Sequence, residues 1–278
     1  MQTAVTTLTP VIPANELVAW DCHAGTGPHL LLVHGFLSSA AQWSLNLEAL
    51  QAFCRPVTVE LFGHGRSPSP ANPECYRPAH YLRCFETIRQ CLGIDRWFVL
   101  GYSLGAGLTI RYALEHPDRV IGHLFTNSSS GLADTEQIAA WRSSTHAAAN
   151  AIRAGGHKAM ERIPVHPKHA RKLPRSVVAD LLRDAQLHDP EGIACTLEIT
   201  NPEVSVRARV GENCRPAALL LGNREQRFKP HKSYVKANMP ELTIVELDAG
   251  HGMNMEVPAA FNQAVQKFIR ECLAATPS

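Results

Sequence analysis

Charge is scarce in this chain: 19% of its residues are Asp, Glu, Lys or Arg, and they balance to +2 without any long block of one sign. Binding to phosphate backbones needs a concentrated basic face, so no nucleic-acid partner is expected. No Cys-x-x-Cys pair occurs. Eight cysteines are scattered along 278 residues, which reads as reduced thiols in a cytoplasmic protein, many of them plain core residues. Fourteen histidines are more than usual, yet none falls in a His-Glu-x-x-His or similar ligand spacing, so no metal is expected. The first twenty residues hold no Lys or Arg and no long apolar run, so neither a secretory leader nor a membrane span is expected there. No internal repeat or low-complexity tract is evident.

What the chain does have is material for a core. Apolar residues make up 45%, too many for a disordered protein, and the length suits one α/β core. Leu30-Leu31-Leu32-Val33 is continuously apolar, the pattern of a strand buried on both faces of a parallel sheet. Further strands are read at 16–22, 57–61, 97–100, 119–126, 217–221 and 243–247. Helical patterns alternate with them at 40–53, with Trp43, Leu47 and Leu50 on one face, and at 79–92, 108–114, 230–238 and 259–274. Strands alternating with helices, each strand ending in glycine and polar residues, place ligand chemistry at the carboxyl edge of the sheet. Between 132 and 214 the rhythm changes. Helices are expected at 135–154, 158–162, 175–187 and 190–200, divided by prolines at 164, 167, 174 and 202. This segment is read as a helical cap over that edge, inserted between a core of 1–131 and 215–278.

The stretch on which the chemistry turns is Trp97-Phe98-Val99-Leu100-Gly101-Tyr102-Ser103-Leu104-Gly105. An apolar strand runs into Gly-x-Ser-x-Gly and at once into helix-forming sequence. Such a turn lifts Ser103 to the sheet edge, and glycines flank it because side chains there would collide with it. The N–H of Leu104 then sits at a helix N-terminus, where it can meet developing negative charge. Two later strand ends carry Gly222-Asn223-Arg224-Glu225 and Gly250-His251. The order is serine, acid, histidine.

With these motifs in hand the chain resembles the capped α/β-hydrolases. His34-Gly35-Phe36 resembles the family's His-Gly-x oxyanion motif. Phe62-Gly63-His64-Gly65-Arg66-Ser67 resembles its Pro-Gly-x-Gly-x-Ser turn, with phenylalanine for proline, and Glu256-Val257-Pro258 with Phe261 resembles its final helix. The resemblance covers nearly the whole chain. It implies a mostly parallel central sheet flanked by helices, with the cap following the sixth strand. It also implies Ser103 as nucleophile, His251 as base, an oxyanion hole from the Phe36 and Leu104 amides, and substrate contacts from His34, Gly35 and Tyr102. In this family the position of His34 usually shapes the oxyanion turn.

The acid departs from the pattern. The family mostly places aspartate where Glu225 stands, and Arg224 and Arg227 flank it as rival ion-pair partners. Some relatives take the acid from the end of the preceding core strand, where this chain has the amide Asn127. Asp134 and Asp248 remain as alternatives. The expected activity is hydrolysis of a small carboxylic ester through an acyl-enzyme, without cofactor, on a small-molecule substrate. Carbon–carbon bond hydrolysis of a dienoic or diketone acid, and ligand binding without catalysis, are the competing readings. A homodimer is left open. The basic run 168–175 of the cap reads either as a solvated loop or as an attractor for an anionic substrate.

Overall fold

Alternate side chains of a strand point to opposite faces, so a strand apolar at every position needs a core on both sides. The computed structural model, which describes residues 12–275, is built this way. The chain runs through β1 (Trp20–Cys22), β2 (His29–Val33), α1 (Ser44–Gln51), β3 (Arg55–Val59), α2 (Pro78–Cys91), β4 (Trp97–Gly101), α3 (Leu104–Glu115) and β5 (Val120–Thr126). Seven strands form one sheet in the order β1-β3-β2-β4-β5-β6-β7, where β6 is Ala217–Gly222 and β7 is Leu242–Leu247. Only β1 is antiparallel to its neighbour.

One face of the sheet sends Leu31, Val33, Val57 and Val99 against Phe85 and Ile88 of α2 and Leu108 and Tyr112 of α3. The other sends Leu30, Leu32, Phe98 and Leu100 against Leu50 of α1 and against Phe261, Val265 and Ile269 of the last helix. Leu219 and Leu221 of β6 pack on Val235 of a further helix, Lys229–Asn238.

Between β5 and β6 the chain is helical, as expected. α4 (Thr135–Met160) starts at a capping box formed by Asp134 and Gln137 and kinks at Gly156, whose φ of 55° and ψ of −140° interrupt it. The kink replaces the gap expected between two separate helices. α5 (Arg175–Ala185) follows, then α6 (Pro190–Cys195), a π-helical turn at Thr196–Thr200 and the short α7 (Asn201–Glu203). After β6 come α8 (Lys229–Asn238), α9 (Met253–Glu256) and α10 (Pro258–Ala275). The inserted segment is seated on the sheet edge at two places. Ala149, Ile152, Met160 and Ile193 enclose Leu37, while Val177 and Leu181 enclose Met255.

Two expectations need correction. The strand read at 16–22 is shorter: 14–16 form a 3-10 turn, and the Ala19 N–H donates to Ser67 Oγ (2.8 Å) before β1 begins. Five strands precede the insertion among the described residues, as many as were read there from the residues, and not the six that the resemblance implied. The reading of the first twenty residues as neither leader nor span falls largely on 1–11, outside the described residues. No described helix is long and apolar enough to cross a membrane.

Phe261 is fully buried, with its ring centroid 6.4 Å from that of Trp43. Phe261→Ala should cost about 3–5 kcal/mol through lost transfer energy and an unfilled cavity. Denaturant melts of the two proteins at equal concentration measure this, read as a fall in midpoint without a change in slope.

Candidate active site

Parallel strands with short crossovers bring every carboxyl end to one edge, and there the candidate residues meet. Ser103 links β4 to α3 with φ 52° and ψ −116°. A non-glycine residue held there stores strain of roughly 1–3 kcal/mol, which the surroundings must offset. The Ser103 N–H donates to Thr126 Oγ1 (3.1 Å) at the end of β5. The flanking glycines are required by close approach: a Cβ on Gly101 would stand 2.4 Å from the Gly105 carbonyl oxygen, and one on Gly105 2.5 Å from that of His34.

β2 lies beside β4, with Val33 opposite Gly101, so the segment after β2 passes next to the serine. Within it Leu37 has φ 56°, and its N–H donates to His64 Nε2 (3.1 Å). His64 Nδ1 in turn meets the Phe62 carbonyl oxygen (2.9 Å). Among the described residues no protein acceptor is found for the N–H of Phe36 or of Leu104.

On the other side of the serine, β5 and β6 are joined at their ends by one amide. Asn127 Oδ1 accepts from the Gly222 N–H (3.2 Å), and its Nδ2 donates to the Gly222 carbonyl oxygen (3.1 Å) and to Glu225 Oε2 (2.7 Å). The same oxygen accepts from His251 Nδ1 at 3.0 Å. That bond fixes the tautomer with the proton on Nδ1 and leaves the Nε2 lone pair free. Burial raises the Glu225 pKa, but the His251 hydrogen bond and charge and the Asn127 amide outweigh it, so the carboxyl lies below its usual value. Tyr102 OH donates to the His251 carbonyl oxygen (2.9 Å), and its ring meets the imidazole edge-on at 5.3 Å. Glu256 accepts from the Gly250 N–H (3.1 Å) and holds the loop before His251 in place.

Ser103, His251, Gly35, Phe36 and Tyr102 line one cavity of about 410 Å³. No hydrogen bond joins Ser103 to His251 here. One wall of the cavity comes from the inserted segment, including Pro164, Leu173 and Leu181.

The family model for the alpha/beta hydrolase fold matches residues 28–258. The chain belongs to the α/β-hydrolases. A human (Lyso)-N-acylphosphatidylethanolamine lipase is 39% identical over 93 residues, 33% of this chain. That match spans 27% of the lipase, little more than a quarter of its length. A putative 2-succinyl-6-hydroxy-2,4-cyclohexadiene-1-carboxylate synthase of Bacillus subtilis (strain 168) is 24% identical over 261 residues, 88% of this chain and 93% of its own. Among solved structures, MenH from S. aureus superposes with a TM-score of 0.80 at 17% identity, over 91% of this chain and 98% of that one.

In this α/β-hydrolase Gly35, Phe36, Tyr102, Ser103 and His251 share the cavity wall, Glu225 is bonded to His251, Leu104 follows Ser103, and His34 stands apart. His34 is fully buried and does not line the cavity. Its Nδ1 meets the Gly35 carbonyl oxygen (2.7 Å) and its Nε2 accepts from the Leu61 N–H (3.0 Å), so it braces the turn and has no atom left for a substrate. The rivals of Glu225 are employed elsewhere. Asp134 caps α4, and Asp248 is 83% exposed beside Arg224 (3.7 Å). Arg224 pairs with Glu256 (2.9 Å) and not with Glu225. Sequence reasoning missed Asn127 as the clamp on Glu225, and also Thr126 and His64; an amide at a strand end was the only signal available. Glu16, Cys75 and His80 are the one grouping with metal-ligand spacing among the described residues, and none of them lines this cavity. Both ring nitrogens of His80 already have partners, the Glu16 carbonyl oxygen and Arg83.

His34, His64 and His188 pack in a row next to the Phe36–Leu37 segment, the first pair tilted and the second edge-on, with centroids 5.3 and 5.1 Å apart. Burial holds all three below 6.5, His188 at about 3. Since the folded values are depressed, their contribution to stability is full above 6.5 and is lost as pH falls towards the folded values. Melting temperature should therefore drop between about pH 6.5 and 4. Replacing His188 with glutamine should flatten that slope, and thermal melts across this range measure it.

Proposed function

We propose that this protein is a serine hydrolase that cleaves small carboxylic esters through an acyl-enzyme. The observation that carries the reading is the Glu225–His251 hydrogen bond of 3.0 Å beside a cavity that both His251 and Ser103 line. A serine hydroxyl is a weak nucleophile until a base takes its proton. His251 Nε2 accepts it as Ser103 Oγ attacks the ester carbonyl carbon, and Glu225 stabilises the imidazolium that results. The Phe36 and Leu104 N–H groups, free of protein acceptors, receive the oxyanion. The imidazolium then returns its proton to the departing alcohol oxygen. Water repeats the sequence on the acyl-enzyme, giving the acid and regenerating Ser103.

The elements around the site support these roles. The backbone of Ser103 is held in its strained conformation at the end of β4, and β5 secures its N–H through Thr126 Oγ1. Asn127 keeps the carboxylate in register despite the extra methylene that distinguishes glutamate from aspartate. The lipase name of the relative matched over 93 residues agrees with ester chemistry.

Ser103→Ala should lower turnover of 4-nitrophenyl butyrate by roughly 10⁴-fold or more without unfolding the protein. Glu225→Gln should approach a loss of roughly 10⁴, because an amide no longer selects the productive tautomer. Asp134→Asn and Asp248→Asn should retain near wild-type turnover. Steady-state rates for all four variants, with circular dichroism as a check on folding, decide the matter. Normal turnover by folded Ser103→Ala would end the serine-hydrolase reading. Turnover confined to a diketone acid would favour carbon–carbon hydrolysis by the same residues.

A further inference from the structure

The loop between α4 and α5 places two exposed cations at the cavity wall. Arg171 and Lys172 line its wall, and neither has an ion pair or hydrogen bond among the described residues. Other basic residues of the insertion are placed differently. Lys168 pairs with Glu161 (3.1 Å), Arg183 pairs with Asp180 (2.7 Å), and Arg142 is exposed outside the lining.

The position of the two cations is set by anchors on both sides. Before them, His166 and Pro167 are buried and His169 Nε2 meets the Glu161 carbonyl oxygen (2.9 Å). After them, Leu173 packs with Val177, Leu181 and Met255, close enough to Gly252 that a Cβ there would lie 3.4 Å from it. Arg171 and Lys172 therefore stand two and one residues, respectively, before a contact with the histidine loop. No carboxylate in the cavity is free to cancel their charge. Glu256 is the one acid among the lining residues, and it is already engaged by Arg224 and by the Gly250 and Gly252 N–H groups. Apolar side chains, among them Pro164, Val165, Leu181 and Met255, make up much of the rest of the wall. A cleft with low-dielectric walls and uncancelled positive charge concentrates anions.

The geometry points to a substrate class: esters that carry a second, anionic group, a carboxylate or phosphate, held by Arg171 and Lys172 while the ester carbonyl lies at Ser103. This rests on the serine-hydrolase reading above. Arginine offers two parallel N–H donors to such an oxyanion, and lysine adds a point charge. No covalent step is added to the reaction; the pair acts on binding.

The test compares kcat/KM for 4-nitrophenyl hemiglutarate, its neutral methyl ester and the matching phosphonate-bearing ester. Wild type should prefer an anionic ester by about tenfold or more, expressed mainly in KM, and about 0.5 M NaCl should erode the preference. R171Q/K172Q should bring the ratio close to one, whereas R142Q should leave it as in wild type. The phosphonate arm separates the two sources of the anion, since whichever anionic ester loses more in R171Q/K172Q names the group held. Calorimetric binding of the same esters to Ser103→Ala reads the site without chemistry. Tighter binding of an anionic ester there, lost when R171Q/K172Q is added, supports the site even if no ester is turned over, an outcome that would sink only the hydrolase reading. Equal kcat/KM and equal binding for charged and neutral esters would overturn the proposal. So would a preference that survives in R171Q/K172Q.

Discussion

An ionised carboxylate that is 22% exposed has to be answered by hydrogen bonds, and the way this chain answers Glu225 organises its sheet edge. One amide, Asn127, closes the ends of β5 and β6 and reaches the same carboxylate oxygen that meets His251. The bond to His251 is therefore one member of a network that spans three loops. Removing a member of such a network leaves a buried polar group unpaired, which costs more than the bond itself contributed. It also explains how a glutamate at this strand end reaches His251. The side chain is long, and the amide at the neighbouring strand end fixes where its terminus lies.

The inserted helices are coupled to this edge by packing. Leu37, next to the Phe36 amide, is buried among α4 and α6, and Met255, just beyond His251, is buried under α5. The two loops that would bind the oxyanion and hold the base are thus both part of the interface with the insertion. Three neutral histidines lie next to the first of them, each with a ring nitrogen accepting from a backbone N–H. A neutral imidazole can accept such a bond and an imidazolium cannot, so the loop depends on low pKa values that burial itself supplies.

Much of this was legible from the residues. Continuous apolar runs announced the parallel strands, because burial on both faces leaves no room for alternation, and the Gly-x-Ser-x-Gly turn located Ser103 at once. Local pattern was weaker where the structure depends on partners distant in sequence. The first strand reads too long from sequence, since nothing in 16–22 reveals that the Ala19 N–H goes to Ser67. For His34 the resemblance implies both substrate contact and shaping of the oxyanion turn; only the fold shows both its nitrogens bound to backbone, which leaves the turn. From sequence Asn127 is only an amide at a strand end where some relatives have the acid. Its clamp on Glu225 is a contact across 98 residues and has no sequence signature. The basic run of the insertion carried two readings from sequence, and the loop geometry divides it, with Lys168 paired outside and Arg171 and Lys172 in the cavity wall.

The central claim, that Ser103 is acylated and then released, is tested most directly by trapping the intermediate. The protein is mixed rapidly with 4-nitrophenyl butyrate, quenched in acid before a single turnover completes, and its intact mass and peptides are measured. The account predicts a butyryl adduct on Ser103 that forms with the burst of nitrophenol and decays at the steady-state rate. Continued turnover with no adduct on Ser103, or with the acyl group on another residue, would contradict it.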